Sequence, residues 1–145
     1  MSVIHKIIEL ETDPGIGIYN ITPQIKDFIE SVSVENGQIL VFSRHTTTAL
    51  AINEYEVRLL EDIKVYLRKL APETETYLHN DLHLRDVPDD EPMNAHFHLM
   101  AMTLSSSEVI PIMDGKLALG TYQSILLFDL DGPRKRSVYF QVYGE

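Results

Sequence analysis

The C-terminal part of the chain decides the fold, and residues 124–144 read SILLFDLDGPRKRSVYFQVYG. Its two ends, 124–130 and 137–144, are apolar and rich in the β-branched and aromatic residues that favour strands. The tripeptide Asp131-Gly132-Pro133 between them is a turn signal, because glycine and proline interrupt regular structure. The pattern predicts two strands joined as a hairpin.

A second hairpin is predicted just before this stretch. Residues 109–113 (VIPIM) and 116–120 (KLALG) flank Asp114-Gly115, which is a strong two-residue turn signal. Further strands are predicted from apolar or alternating runs at 3–11, 38–43 and 49–53. Strands therefore occupy both ends of the chain, and hairpins dominate its last third.

Helical patterns interrupt the strands. Thr22-Pro23 predicts a helix start, with a hydroxyl cap and proline at the first helical position. Between residues 55 and 70 apolar side chains recur at helical spacing, opposite a charged face, and Pro72 follows. The apolar side chains of this second helix are Val57, Leu60, Ile63, Leu67 and Leu70.

A third helix is predicted to begin at Pro92, after the acidic loop 86–92. Its inner face is formed by side chains at three- and four-residue steps, which are Met93, Phe97, Met100 and Leu104. Alternation from Ala95 to Ala101 would also suit a strand. The helix is favoured because alanine, leucine and methionine dominate and β-branched residues are nearly absent.

These elements predict one α+β domain over residues 1–145, a mostly antiparallel sheet with two to three packed helices. The net charge of −10 argues against general binding of nucleic acid, whose phosphates such a surface would repel. No apolar run approaches the roughly 20 residues that span a bilayer. The charged, alternating start does not resemble a secretory signal, so a cytoplasmic location is expected. Lys135 and Arg136 are interpreted as a solvated turn flank.

Histidines are concentrated in residues 79–98, which hold four of the six in the chain, while cysteine is absent. Imidazole is a common ligand of zinc-like metals and titrates near neutral pH. On a helix, His96 and His98 lie about 200° apart, so only one can face a given site. His98 is preferred because its neighbours are small or polar. A metal site of His45, His79 and His98 is predicted, with structural hydrogen bonding and incidental placement as alternatives.

Other polar residues suggest how a substrate could be handled. Glu54, beside Asn53, is a candidate general base, but it is interpreted more readily as a carboxylate at the start of the helix near Tyr55. Hydroxyl groups with backbone amides can hold a phosphate without a basic surface. Hydroxyl side chains occur in two runs, Thr46 to Thr48 and Ser105 to Ser107. Thr121 and Gln123 add a hydroxyl and an amide just after Gly120. Each run alone is better explained by local structure.

The chain resembles the small YjbQ-like proteins, a family of unknown function, essentially from end to end. The likeness is carried by HTTTALAINE at 45–54, YLHND at 77–81, MNAHFHL at 93–99 and IPIMDGKLALGTYQSILLFDLDGPR at 110–134. Two positions depart from the family pattern: Tyr122 stands where tryptophan is usual, and Ser105 where glycine is usual.

The resemblance implies a sandwich-like domain that assembles as a homotrimer, with metal or anion sites near the subunit contacts. Its functional histidines fall on His45, His79 and His98, and its Asn-Glu pair on Asn53 and Glu54. It also implies a metal-assisted enzyme acting on a small phosphorylated metabolite, of the secondary thiamine-phosphate synthase type. Divalent zinc or magnesium would be the cofactor. The catalytic residues would be Asn53, Glu54 and Arg134. The anion would be bound by Arg134 together with Thr47, Ser107, Thr121 and Gln123.

Two other functions are compatible with the same residues. The first is a trimeric ligand-binding protein without catalysis, in which the histidines stabilise a subunit interface. The second is a metal-dependent hydrolase, because a metal-bound water at such a site also supports hydrolysis.

Overall fold

The fold is taken from a computed structural model, in which residues 2–145 are described. Within the described residues, eight strands and three helices follow one another in this order: β1 (Ser2–Glu11), β2 (Gly15–Asn20), α1 (Thr22–Ser31), β3 (Gly37–Ser43), β4 (Thr48–Asn53), α2 (Val57–Leu70), α3 (Ala95–Thr103), β5 (Ser107–Met113), β6 (Lys116–Leu117), β7 (Ser124–Gly132) and β8 (Lys135–Gly144). Two short 3₁₀ turns, Leu78–Asn80 and Leu82–Leu84, lie between α2 and α3.

The strands form two antiparallel sheets, one with the order β1-β8-β3-β5-β6 and one with the order β2-β7-β4. The inner faces of both sheets, together with α1, share one hydrophobic core. A second core lies on the other face of the smaller sheet, where α2 and α3 cover it with Leu67 and Met100. The predicted α+β class, a mostly antiparallel sheet structure with packed helices, is confirmed.

The predicted hairpin between β7 and β8 is wrong, because the two strands lie in different sheets. β7 pairs with β2 and β4, whereas β8 pairs with β1 and β3. Residues 125–130 of β7 are buried on both faces, so this strand needs a layer on each side. The chain crosses between the sheets at Gly132, where a Cβ would clash with the carbonyl oxygen of Asp13.

The other predicted hairpin is confirmed, but its second strand is short. β5 pairs with β6 only at Ile112 with Leu117 and Met113 with Lys116. Asp114 and Gly115 both have positive φ, of 52° and 74°, as the turn requires.

All three predicted helices are present, with changes at their ends. In α1, Thr22 is the first helical residue and not the cap, and its hydroxyl accepts a hydrogen bond from the backbone N–H of Ile125. In α2, the capping carboxylate is Glu56, whose Oε2 accepts from the Leu59 N–H at 2.6 Å. Val57 is 73% exposed because it stands in the first turn, outside the packed face. The helical alternative for α3 is confirmed, although it begins at Ala95, after Pro92.

A buried ion pair joins the two sheets beside this crossing. Arg136 of β8 donates through Nε and Nη2 to the carboxylate of Asp129 of β7, at 2.9 and 2.8 Å. Thr12 also donates to this carboxylate, and Thr47 accepts from Arg136. The interpretation of Arg136 as solvated is therefore wrong, since only 5% of its side chain is exposed, whereas Lys135 is exposed. Successive side chains of β8 point to opposite faces, so Arg136 points inward where Lys135 points outward.

We expect this pair to set the stability of the protein in acid. Burial raises the pKa of Asp129, but hydrogen bonds from Arg136, Thr12 and the Asp131 backbone lower it by more, so the pKa lies below its ordinary value. A lowered pKa in the folded state contributes stability above the unfolded pKa, and this is lost as pH falls through the folded pKa. Urea denaturation should therefore show a falling unfolding free energy below about pH 4.

The Asp129→Asn variant tests the assignment. It should lose about 3–5 kcal/mol at neutral pH, because Arg136 stays buried without its partner. Its stability should also change less than that of the wild type across the acid range. Asp62→Asn, at an exposed position of α2, is the matched control and should follow the wild-type curve. Parallel curves for wild type and Asp129→Asn would contradict the assignment.

Candidate functional site

Two of the predicted histidines are in contact. His79 lies in the first 3₁₀ turn and His98 on α3, and their rings meet edge to face with centroids 4.7 Å apart. The turn is attached to the helix because Asn80 Oδ1 accepts a hydrogen bond from the Ala95 N–H at 3.1 Å. Arg85 donates to the carbonyl oxygen of His79 at 2.9 Å, which fixes the turn from the other side.

The third predicted histidine shares a cavity with His98. This cavity, of about 440 Å³, lies beside α3 and the loop that follows β3, and its lining is His45, Thr46, Thr48, His98, Ala101, Met102, Leu104 and Ser106. His45 Nε2 accepts a hydrogen bond from the Ser137 N–H at 2.9 Å. A neutral His45 therefore carries its proton on Nδ1.

Both cavity histidines favour the neutral form. Burial lowers the pKa of His98, and the neighbouring His79 lowers it further. Burial also lowers the pKa of His45, with Arg136 as the next cause. Neutral imidazole is the form that binds a metal or accepts a proton.

The fit of these residues to a metal is partial. Catalytic zinc sites usually have three protein ligands. Across residues 2–145, no three histidine or carboxylate side chains are grouped so that they could hold a metal ion. His79 and His98 bring two imidazole rings into contact. Nε2 of His45, by contrast, already accepts a hydrogen bond from the Ser137 N–H. The three-histidine metal site stays a prediction.

A second group of predicted residues lies elsewhere in the chain. Asn53, Glu54 and Gln123 line a cavity of about 420 Å³ with Ile52 and Tyr122. It lies beyond the end of β4, whereas His45 precedes the start of that strand, and β4 spans about 17 Å. Within one chain the predicted residues therefore form two separate groups.

Side chains in the second group are held by local hydrogen bonds. Asn53 Oδ1 accepts from the Glu54 N–H at 2.7 Å, and Gln123 Oε1 accepts from the Gly120 N–H at 2.9 Å. Thr121 is exposed beside them. The carboxylate of Glu54 does not cap α2, because Glu56 fills that role.

The remaining predicted residues, Thr47, Ser107 and Arg134, belong to neither group, and each forms hydrogen bonds to other parts of the protein. Thr47 is buried and accepts a hydrogen bond from Arg136. Ser107 bonds through its backbone to the side chain of Ser105, the residue that replaces the usual glycine. Arg134 donates to the backbone oxygen of Asp131 and, at 3.2 Å, to its carboxylate.

Asp131 and Asn94 lie at this site although the sequence pattern did not predict them there. The carboxylate of Asp131 accepts from Asn94 Nδ2 at 2.9 Å as well as from Arg134, so it connects the start of α3 to the end of β7. The Asn94 side-chain oxygen is buried without a hydrogen-bond partner among the described residues. These two residues are 37 positions apart, so no local pattern relates them.

His96 lies apart from this cavity, as its position on the helix predicts. It is buried on the side of α3 opposite to His98, and it lines a different cavity. Burial lowers the pKa of His96. His98, and not His96, lines the cavity with His45, and the role of His98 as a metal ligand stays a prediction.

Comparison with known proteins places the chain in a family. A family model described as "UPF0047 protein YjbQ-like" matches residues 6–145. A UPF0047 protein of Methanothermobacter thermautotrophicus is 37% identical over 145 residues, covering 100% of this chain and 95% of that protein. Another, from Archaeoglobus fulgidus, is 44% identical over 131 residues, with 90% and 94% covered. The chain belongs to the UPF0047 (YjbQ-like) family.

Solved structures share the same architecture. A crystal structure of a YbjQ-like protein of unknown function from Sulfolobus solfataricus P2 has a TM-score of 0.89 at 34% identity, with 99% of both chains covered. A hypothetical protein from Aeropyrum pernix K1 has a TM-score of 0.88, also at 34% identity, covering 98% of this chain and 99% of that one. Among residues 2–145, no helix has the length and apolar character that crossing a bilayer would take.

Asn80 should hold the histidine pair together. Replacing it by alanine removes the acceptor for the first N–H of α3, and loss of such a cap costs about 1 kcal/mol. We expect Asn80→Ala to lower the unfolding free energy in urea by that amount and to shift the NMR signals of both rings. Asn53→Ala, which removes an exposed amide at the other group, should leave the ring signals unchanged. Unshifted rings in Asn80→Ala would contradict this role.

Proposed function

We propose that the protein is a metal-assisted enzyme acting on a small phosphorylated metabolite, with its site at the His79–His98 pair and the adjoining cavity. The observation that carries the proposal is the 4.7 Å contact of two imidazoles, one of which shares a 440 Å³ cavity with a third. Burial favours the neutral form of His98, the form a metal requires.

The cavity offers polar groups suited to a phosphate. Thr46 and Ser106 are exposed at its wall and supply hydroxyl donors. Hydroxyls bind a phosphate without a basic surface, which suits a chain whose net charge is −10. Arg134 does not line this cavity, but it places a guanidinium on the Asp131 side of α3.

His79 and His98 would hold a divalent cation, and their imidazole nitrogens suit zinc better than magnesium, which prefers oxygen ligands. The cation would offset the negative charge of a departing phosphate or pyrophosphate group. The reaction implied by the family resemblance is of the thiamine-phosphate synthase type. In it, a thiazole nitrogen forms a bond to a pyrimidine methyl carbon as pyrophosphate leaves. The hydroxyls and Arg134 would stabilise the leaving charge, and His45 would orient the substrate through Nδ1.

The second group can contribute to this site only if another copy of the chain supplies its residues, which are Asn53, Glu54, Thr121 and Gln123. A homotrimer is part of the proposal, and its support is the outer face of the larger sheet. That face carries exposed apolar side chains on four strands: Val3 and Ile7, Phe42, Val109, and Tyr143. Contiguous exposed apolar surface of this kind marks association sites.

A ligand-binding trimer without catalysis is the second candidate. It is favoured by the separation of Glu54, the candidate base, from the histidines by the length of β4. A hydrolase would use the same cavity as the transferase. The three functions differ in metal dependence and in product, so they separate by experiment.

Metal binding is the first test. Titration with zinc by calorimetry should show a site that His79→Ala and His98→Ala each weaken by at least about tenfold. His83→Ala, an exposed neighbour in the next 3₁₀ turn, is the matched control and should bind as the wild type does. Melting temperatures confirm that each variant is folded. Equal zinc affinity in all three variants would refute the ligand assignment.

Activity is the second test. The wild type, incubated with the pyrimidine pyrophosphate, the thiazole phosphate and the metal, should release pyrophosphate, and His98→Ala should abolish the release. Release of inorganic phosphate or pyrophosphate without the thiazole would indicate the hydrolase. Zinc and phosphate-ester binding without any turnover would favour the ligand-binding protein and contradict the enzyme.

Assembly is tested separately. Size-exclusion chromatography with light scattering should give three times the chain mass for the wild type. Phe42→Glu should give a smaller species, because a charge in an apolar interface is left unpaired. Val57→Glu, at an even more exposed apolar position on α2, should remain trimeric. A monomeric wild type would contradict the proposed trimer.

A further inference from the structure

His96 has a polar atom that the chain leaves unsatisfied. Only 4% of the residue is exposed, and its Nδ1 has no hydrogen-bond partner within the described residues. The ring packs against Phe97 with centroids 3.9 Å apart, a contact that satisfies no hydrogen bond. Buried polar atoms nearly always have a partner, and where the protein supplies none, that partner is an ordered water or a bound ligand.

A cavity of about 270 Å³ adjoins His96. It lies between the end of α2, the start of β2 and α3, and its apolar lining is Ile16, Pro72, Phe97 and Met100. It is separate from the cavity of His45 and His98, because no residue lines both. The single helix α3 therefore divides two cavities and presents one histidine to each.

Two opposite charges line this second cavity. Arg68, in the last turn of α2, and Glu73, just beyond it, both face the space beside His96. In the part of the chain that the structure describes, neither forms an ion pair. Both residues are exposed, so both charges are available to a ligand that enters this cavity from solvent.

We infer that this cavity binds a small zwitterion with an apolar side chain, of the amino-acid class. Its carboxylate pairs with Arg68, whose planar guanidinium matches a carboxylate in two parallel hydrogen bonds. Its ammonium has three N–H donors, enough for the Glu73 carboxylate and for the unpartnered Nδ1 of His96. Its side chain packs against Phe97 and Met100.

Other ligand classes leave part of the site unsatisfied. A monocarboxylate would leave Glu73 unpaired, and an amine would leave Arg68 unpaired. Inorganic phosphate would be repelled by the Glu73 carboxylate. The cavity is smaller than the roughly 300 Å³ at which ligand pockets usually begin, so the ligand is small.

The inference is tested with a matched set of probes by calorimetry on the full chain. L-leucine and L-methionine should bind, and 4-methylpentanoate and isoamylamine, which each keep one of the two charges, should bind at least about tenfold more weakly. Glycine should also bind more weakly, because it lacks the apolar side chain. No binding of any amino acid at millimolar concentration would overturn the inference and leave water as the occupant.

Variants identify the site. Arg68→Met and Glu73→Gln should each remove leucine binding, whereas Lys69→Met and Glu75→Gln make the same charge changes nearby and should retain it. His96→Phe keeps a ring of similar size and should weaken binding through loss of Nδ1. Equal weakening by Arg68→Met and Lys69→Met would indicate non-specific charge attraction and overturn the inference.

This binding is independent of the proposed metal-assisted reaction. His98→Ala, which removes a proposed metal ligand, should leave leucine affinity unchanged. Arg68→Met should in turn leave zinc affinity unchanged. Loss of leucine binding in a folded His98→Ala variant would place the ligand in the other cavity and contradict the assignment.

Discussion

The buried Asp129–Arg136 pair is the interaction on which the arrangement of this fold depends. It joins β7 of one sheet to β8 of the other, beside the turn where the chain crosses between the sheets. Thr12 and Thr47 hydrogen-bond to the same two side chains, so the loops before β2 and β4 are attached to it as well. Both carboxylate oxygens of Asp129, and Nε and Nη2 of Arg136, have hydrogen-bond partners here, as burial of an ion pair requires.

The position of the candidate site follows from this junction. His45 lies two residues before Thr47, and its Nε2 is bonded to the residue that follows Arg136. His98 reaches the same cavity from α3, which packs on the smaller sheet. Because α3 is apolar around most of its surface, it can be packed on one side and border a cavity on each flank. The two histidines two residues apart are therefore separated into different environments by helical geometry alone.

Much of the fold was predictable because its signals are local. The Asp114-Gly115 turn needs positive φ at both residues, and the sequence places suitable residues there. The helix from residue 95 to 103 was preferred over a strand from its composition, and the separation of His96 from His98 followed from that choice. By contrast, Asp131-Gly132-Pro133 is a turn signal that does not say which strands pair on either side of it. The partners of β7, which are β2 and β4, lie more than 70 residues earlier in the chain.

The sequence by itself determined the three helices, the strands other than β2, the Asp114-Gly115 turn, the family and the candidate polar residues, since these depend on near neighbours and on residue type. Only the tertiary structure decided which of those residues meet. It brought His79 to His98, left Asn53 and Glu54 at the far end of β4, and buried Arg136, which its charged neighbours had suggested was solvated. The physical reason is that such encounters are set by sheet pairing and packing between distant segments, and no local periodicity records them.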